Sequence, residues 1–489
     1  MKKENKKKLA DFLAKQVINL ASITKAWKIL LPPLEKIAYK LMVTTGDPVK
    51  VGPRRQREDK FYMASNIVRA AFKAHANGSY AVKDRMINLF LKQFLTLSSR
   101  NNEKEYEKRY SMESPNFITI SPGGTCNLRC KDCYAASVTT GLPSLSYETV
   151  DKILKEKYEK WGSWFTVVSG GEPFLWKDGC FDIIDVARFH PEQYFLIYTN
   201  GTLIDEKKAK RIAEVGNITT AISVEGFEKE TDERRGKGVF NKILTAFENL
   251  RNAGVPFGIS VTANHENAEF VISKEMIDFY FKKQGALYQW VFQYMPIGRG
   301  MDVDRQVSPE IRTKMWKREQ ELVYKERLFV VDFWNGGTFS SGCIAGGRPG
   351  GYLYIDWNGN IYPCVFVPYW KDNINDLYLQ GKTLTDALFS NLFKGIRDWQ
   401  LSYNYMCQPN VRGNEIRPCF IRDHYEKAHD ILIKTESKYG YEMAGICLHD
   451  QDYYDKMKQY DEKLAELLDP VWQKLYQEPL KTKEKLHVW

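Results

Sequence analysis

Cys126, Cys130 and Cys133 stand in a C-x-x-x-C-x-x-C spacing within Gly123-Gly124-Thr125-Cys126-Asn127-Leu128-Arg129-Cys130-Lys131-Asp132-Cys133-Tyr134. Three thiolates so close together can ligate three irons of a [4Fe–4S] cluster. The fourth iron stays open to bind a ligand and pass it an electron. A structural zinc site closes all four positions instead, and three unrelated buried thiols would do no chemistry at all. Spacing alone leaves both alternatives standing; the residues that follow in the chain count against them. The chain has nine cysteines in 489 residues, too sparse for a disulfide scaffold, and seven of them fall into two groups. That pattern favours a reducing compartment and metal ligation.

The elements that must position this loop follow from pattern. Short β-rich runs alternate with helical stretches from Phe117 onward: Phe117–Ser121, Trp164–Ser169, Tyr194–Tyr198, Thr219–Val224, Pro256–Thr262 and Tyr288–Tyr294. Six strand–helix units in succession predict an α/β fold, a partial (β/α)6 TIM-like barrel with a parallel sheet. In such barrels the chemistry sits on loops after the C-terminal ends of the strands. The distinctive residues fall there: the three cysteines after the first run, Gly170-Gly171-Glu172-Pro173 after the second, Thr199-Asn200-Gly201 after the third and Ser223-Val224-Glu225-Gly226 at the fourth. Further on, Tyr352–Ile355 and Asn360–Pro363 read as a hairpin turned by Asn358-Gly359, flanked by Cys343 and Cys364, with Cys407 and Cys419 beyond. The expected organisation is an N-terminal helical module (1–112), the barrel (113–330), a small hairpin-containing module (331–422) and a C-terminal helical segment (423–489). Cys180 and Cys447 read as ordinary thiols, and His424 and His449 as structural.

Charge is unevenly placed. Residues 1–110 hold 24 Lys and Arg against 10 Asp and Glu, a net of +14, whereas the rest holds 47 against 51, a net of −4. Leu9, Phe12, Leu13, Val17 and Leu20 keep helical spacing, Pro32-Pro33 is expected to break the run, and Leu34, Ile37, Ala38 and Leu41 restart it. Lys15, Lys25, Lys28, Lys36 and Lys40 accompany these apolar residues, as in helices that lie in a membrane interface. A helix packed on the barrel with its lysines in water is the plainer alternative. No apolar run follows Lys2, Lys3, Lys6, Lys7 and Lys8, so neither a signal peptide nor a spanning helix is expected. The expected place is the cytoplasm, peripheral on the inner face of the cell membrane.

From Phe117 to Cys419 the chain resembles the radical S-adenosylmethionine (radical SAM) superfamily, through the three-cysteine loop after a first strand and Gly-Gly-Glu-Pro after a second. The resemblance implies that S-adenosylmethionine binds the open iron through its amino and carboxylate groups. Reductive cleavage then gives a 5′-deoxyadenosyl radical that takes hydrogen from an unactivated C–H bond. It places Gly170, Gly171, Glu172 and Pro173 around the methionine amino group, Ser223 and Glu225 toward the ribose or methionyl part, and Asn200 in the same pocket. Arg235 meets the carboxylate, with Arg234 its competitor. Many relatives carry an aromatic residue before the third cysteine; here Asp132 stands there and Tyr134 follows instead, as the candidate adenine contact. Cys343, Cys364, Cys407 and Cys419 resemble the auxiliary-cluster extension called SPASM or twitch. Their number implies one closed auxiliary [4Fe–4S] cluster, with structural zinc as the alternative.

The substrate does not follow from these motifs. Tyr198–Gly201, Ser223–Phe240, Asp332-Phe333-Trp334 and Gly342–Arg348 look like a subgroup connected with membrane-spanning lipid formation, so a lipid chain is the first expectation. A peptide or protein maturase making thioether or carbon–carbon links is the second, and a non-catalytic iron–sulfur carrier or sensor the third. Expected partners are a ferredoxin or flavodoxin as low-potential reductant and an anionic membrane surface; no nucleic acid is expected. The Tyr294–Arg299 loop reads as substrate-facing, and Trp334, Tyr352, Trp357, Phe366 and Trp370 as a possible apolar channel.

Overall fold

All six expected strands form, in register and parallel: β1 (Phe117–Ile120), β2 (Phe165–Val168), β3 (Tyr194–Thr199), β4 (Ile218–Val224), β5 (Phe257–Ala263) and β6 (Tyr288–Gln293). The computed structural model describes residues 26–44, 52–95 and 100–477. The apolar run at 9–20 and the lysines before position 26 lie outside them. Two features of the sheet extend beyond the six units. A seventh parallel strand, β7 (Phe329–Asp332), pairs with β6. On the other side, β8 (Tyr352–Ile355) lies parallel to β1, Phe117 opposite Tyr352 and Ile120 opposite Ile355, and turns back into antiparallel β9 (Asn360–Tyr362) and β10 (Asp372–Asn373). The hairpin is therefore part of the barrel sheet, whose order is β10-β9-β8-β1-β2-β3-β4-β5-β6-β7.

Helices cover the outer face, and several are begun and ended by local chemistry. α1 to α9 are Trp27–Tyr39, Arg54–Asn77, Tyr147–Trp161, Ile183–Phe189, Glu206–Val215, Glu228–Arg235, Val239–Ala253, Pro309–Tyr324 and Gln451–Trp472, with further helices between them, among them Tyr80–Leu95 and Asn391–Tyr403. The Ser146 hydroxyl accepts from Thr149 N at the start of α3, and Asp205 accepts from Lys208 N at the start of α5. Gly162 and Gly216 end these two helices in the left-handed conformation. Alternate strand residues divide the sheet as a two-residue period requires. Ile118, Ile120, Val168 and Ile197 pack outward against helices, while Phe117, Phe165, Val167, Leu196, Tyr198, Trp290, Phe292 and Phe329 turn into the barrel.

α1 runs through Pro32 and Pro33 without breaking, against the expectation from sequence. The two missing amide hydrogens would have met the carbonyls of Lys28 and Ile29; both residues are exposed, so water can take their place. One face of α1 lies on α2: Trp27 and Leu31 pack against Val68 and Phe72, and Arg69 grips Glu35 through two hydrogen bonds of 2.8 and 2.6 Å. The other face stays in solvent, with Ile29, Leu34, Ile37 and Leu41 between 59 and 78 % exposed. No described helix is long and apolar enough to cross a membrane.

Among the links between the C-terminal segment and the barrel is a buried ion pair. Arg312 on α8 reaches Asp423 with two hydrogen bonds of 2.5 and 2.9 Å, and both side chains are fully buried. Arg312 also donates to the Asn335 side chain in the loop after β7. Removing one partner strands the other charge, which costs about 3–5 kcal/mol. Arg312→Met is therefore expected to lower unfolding free energy by about that amount in a urea titration; a loss within the scatter of a surface substitution would contradict the tether.

Candidate functional site

The loops after β1, β2 and β3 are fastened by backbone contacts that leave no room for side chains. Gly171 N donates to Gly123 O at 3.1 Å and Glu172 N to Thr125 O at 2.9 Å. A Cβ on Gly171 would stand 2.1 Å from Thr125 O, and one on Gly170 (φ +119°) 2.6 Å from Gly123 O. The glycines thus admit the backbone of the cysteine loop itself, a role distinct from the approach to ligand that the motif suggested. Glu172 is 1 % exposed and its carboxylate turns inward. It accepts from Thr199 Oγ1 at 2.7 Å, Asn200 N at 2.8 Å and Phe174 N at 3.1 Å. Burial raises its pKa despite these donors. Glu172 and Pro173 stand behind the cavity wall and brace three loops from there.

Cys126, Cys130 and Cys133 all face one cavity of about 460 Å3 that occupies the barrel. Gly170, Gly171, Asn200, Ser223, Arg234, Arg235 and Tyr134 line its upper end with them. Asn200 Nδ2 donates to Cys126 Sγ at 3.8 Å and to Asn127 Oδ1 at 2.9 Å; Leu128 N donates to Cys126 Sγ at 3.4 Å. Such donors at a ligand sulfur are among the levers on cluster potential. Burial pushes the Cys126 thiol up to about 11, so its thiolate needs positive charge beside it, as iron supplies. Arg235 also lies within the field of Cys130 and Cys133. Glu225 sits behind the wall and is held by both Arg234 and Arg235. The two arginines thus share one counter-ion and one position at the rim. Ser223 and Ser260 bring their hydroxyls within 3.2 Å of each other on the same wall. Tyr134 lies with its ring 5.8 Å from Phe366.

A clamp on the cysteine loop was not visible in the sequence. The Tyr294–Arg299 loop, read there as substrate-facing, divides: Tyr294 and Met295 line the cavity, whereas Gly298 and Arg299 hold the cluster loop from outside. Arg299 N donates to Cys133 O at 3.0 Å and its guanidinium to Cys130 O at 2.6 Å and to Ser137 O. Gly298 (φ +71°) lies so close to Tyr134 O that a Cβ would stand 2.2 Å away. Asp132, itself at φ +52°, pairs with Arg305 at 3.1 Å.

The second cysteine set divides. Cys343, Cys364 and Cys419 face the same cavity and lie within each other's fields, with burial raising Cys419 and taking Cys364 up to about 12. Tyr352 Oη lies 3.0 Å from Cys364 Sγ, and Phe366 N donates to that sulfur at 3.4 Å. Cys407 stands apart from the lining, its thiol donating to Leu401 O at 3.2 Å. Among the described residues no three His, Cys, Asp or Glu side chains converge as around a single ion; an iron–sulfur cube spreads its thiolates over separate corners. Of the aromatic residues singled out earlier, Tyr352 and Phe366 line the cavity. Trp334 is fully buried behind Phe366, ring centroids 4.8 Å apart, and Trp357 packs under Gly124. His424 is enclosed by Trp399 and Tyr403, and burial lowers its pKa to about 4.

The close approach at Gly171 is directly testable. Gly171→Ala must displace backbone oxygens rather than a flexible side chain. After anaerobic reconstitution it is expected to lose most of the iron and sulfide that wild-type protein binds at the first cysteine set; full retention would contradict the geometry.

The model of the radical SAM superfamily matches residues 120–272. The AdoMet-dependent heme synthase of Methanosarcina barkeri is 26 % identical over 54 % of this chain and 80 % of its own length. Mycofactocin maturase MftC of Mycolicibacterium smegmatis is 27 % identical over 58 % of this chain and 71 % of its own. Among solved structures, Streptococcus suis SuiB bound to S-adenosylmethionine aligns with a TM-score of 0.52 at 17 % identity, covering 68 % of this chain and 79 % of SuiB. The same protein bound to precursor peptide SuiA gives 0.51 at 18 %. These likenesses join the cysteine loop, the glycine ladder and the parallel barrel in one conclusion: residues 120–272 form a radical SAM domain, and the chain is an S-adenosylmethionine-dependent enzyme with a [4Fe–4S] cluster, S-adenosylmethionine and an auxiliary [4Fe–4S] cluster as its cofactors.

Proposed function

We propose that this radical SAM enzyme abstracts hydrogen from an unactivated C–H bond in the hydrocarbon chain of a membrane lipid, to modify or couple that chain. The grading of the cavity carries this reading. Its upper end holds the cysteines, Asn200, Ser223, Arg234 and Arg235; its floor is Phe117, Phe165, Trp290 and Phe329, with Val167, Leu196, Tyr198 and Phe292 between. Ligand sites are mostly apolar with a few placed polar groups that set orientation. Here most of those groups lie toward the cysteine end, where Gln293, Asp332 and Ser340 also line the cavity, and Thr119 stands partway down β1. A substrate rich in amides would bury polar atoms against the floor without partners, at a cost.

When bound, the cluster and S-adenosylmethionine supply a 5′-deoxyadenosyl radical that takes hydrogen from carbon. The chain's own residues do the rest. Cys126, Cys130 and Cys133 would hold the cluster, three thiolates leaving one iron free of protein ligands. Arg235, with Arg234 its competitor, would offer positive charge to the cosubstrate carboxylate, and Glu225 keeps both in place. Ser223 and Asn200 offer a hydroxyl and an amide to the ribose and methionyl groups, and Tyr134 a ring for adenine. Below them the aromatic and aliphatic walls exclude water and orient the substrate carbon, the protein's share of radical chemistry. Cys343, Cys364 and Cys419 hold the auxiliary cluster on the opposite wall. A ferredoxin or flavodoxin is the reductant.

α1 supports the membrane side of the reading. Leu30, Leu34, Ile37 and Leu41 form one exposed stripe at helical spacing, and Lys28, Lys36 and Lys40 are exposed beside it. An exposed apolar stripe flanked by lysines suits the surface of an anionic bilayer. A second reading, a peptide maturase forming thioether or carbon–carbon crosslinks, draws support from the likeness to mycofactocin maturase; an acidic leader would then meet the basic N-terminal segment.

Two measurements test the proposal. With chain-deuterated anionic phospholipid vesicles, the reduced enzyme is expected to transfer deuterium into 5′-deoxyadenosine; transfer from candidate peptides with none from lipid would favour the maturase. The double variant Leu34→Glu, Ile37→Glu is expected to bind anionic vesicles at least tenfold more weakly in sedimentation while keeping slow lipid-independent cleavage of S-adenosylmethionine. Unchanged sedimentation would remove α1 from the membrane role.

A further inference from the structure

The cavity reaches the surface at an end of the barrel that the chemistry does not use. Met63 and Ile67, one helical turn apart on α2, line it together with Phe117, Phe165, Trp290 and Phe329. These four aromatic residues stand at or near the N-terminal ends of their strands, away from the cysteine loops. Met63 is 6 % exposed, whereas Ile67 is 39 % exposed. Ile67 is at once cavity wall and protein surface, so it marks a mouth. The interior of a (β/α) barrel is usually filled by layers of side chains; here an apolar passage runs from that mouth to the cluster end. From Phe117 to the loop after β1 is four residues, roughly 13 Å at about 3.3 Å per residue, a span within reach of an ordinary acyl chain.

The mouth adjoins the exposed stripe. α1 rests on Val68 and Phe72 of α2, the residues next to Ile67 and just over a turn beyond it. Glu35 of α1 is held by Arg69 of α2 and by Arg327, just before β7, so α1, α2 and the barrel floor form one connected surface. Its charge is complementary to an anionic lipid headgroup: Lys28 and Lys36 are exposed on α1 and Lys40 on the turn that continues it.

We propose that the hydrocarbon chain of an anionic phospholipid enters the barrel through the Met63–Ile67 mouth, from the N-terminal ends of the strands, and presents its C–H bond to the cluster end from below. This route rests on the lipid reading above. The headgroup stays at the basic surface beside α1, and Ile67 is the residue that admits or bars the chain.

The test uses full-length, cluster-loaded enzyme with S-adenosylmethionine and vesicles containing an anionic phospholipid with a photoactivatable diazirine at mid-chain. Crosslinked peptides are mapped by mass spectrometry. Wild type is expected to be labelled inside the barrel, on the segments bearing Val167, Leu196 and Phe292. Ile67→Trp is expected to cut that labelling at least fivefold, with vesicle sedimentation and lipid-independent cosubstrate cleavage unchanged. Ile67→Ala is expected to keep it, and Ile67→Phe, a smaller obstruction, serves if the tryptophan variant fails to load iron. Undiminished barrel labelling in the blocked variant overturns the route and leaves the lipid reading standing. Absence of barrel labelling in wild-type protein that sediments with vesicles overturns both.

Discussion

The structure depends on how closely two loops can approach. The backbone of Gly170–Glu172 lies against that of Gly123–Thr125, joined by two amide–carbonyl bonds and separated by less than a methyl group. That contact fixes where Cys126 stands. The Glu172 carboxylate then carries the constraint to the third loop through Thr199 and Asn200, and Asn200 returns to the Cys126 sulfur. Arg299 and Gly298 close the same loop from outside. Three thiols on a mobile loop would find iron in several arrangements. Held from both sides by backbone and by a buried carboxylate, they present one, which is what preorganised ligation requires.

Around this fixed point the barrel separates two environments. The strand ends that carry the cysteines also carry the arginines, the serine hydroxyls and the Asn200 amide; the strand beginnings carry aromatic rings. A two-residue period sends alternate residues inward, so the same strands that bury Ile118 and Val168 against helices line the passage with Phe117 and Val167. The auxiliary-cluster cysteines reach this passage because β8 joins the barrel sheet beside β1. Cys126, Cys130 and Cys133 therefore share one cavity with Cys343, Cys364 and Cys419.

Much of this was legible in the sequence, for identifiable reasons. The six parallel strands are short apolar runs bounded by glycine and polar loops, and buried parallel strands write that pattern locally. The loop motifs were legible because glycine and cysteine carry strong constraints. What escaped depended on partners distant in the chain. The joining of β8 to β1 is a pairing between Phe117 and Tyr352, far apart in the chain. The inward turn of Glu172 follows from donors at Thr199 and Asn200, and the clamp by Arg299 from carbonyls more than 160 residues away. Pro32-Pro33 misled because a breaker rule assumes that the lost hydrogen bonds matter, and on an exposed turn water replaces them. The separation of Cys407 from Cys343, Cys364 and Cys419 is a matter of loop path, which spacing does not encode.

The central claim is that three fixed thiols hold a cluster whose remaining iron opens onto the polar end of an apolar passage. Electron paramagnetic resonance of the reduced, anaerobic enzyme, recorded with and without S-adenosylmethionine, tests it most directly. The account predicts a reduced-cluster signal that shifts when the cosubstrate is added and that disappears selectively in a Cys126→Ala, Cys130→Ala, Cys133→Ala variant. A spectrum indifferent to S-adenosylmethionine, or one unchanged by loss of these cysteines, would contradict it.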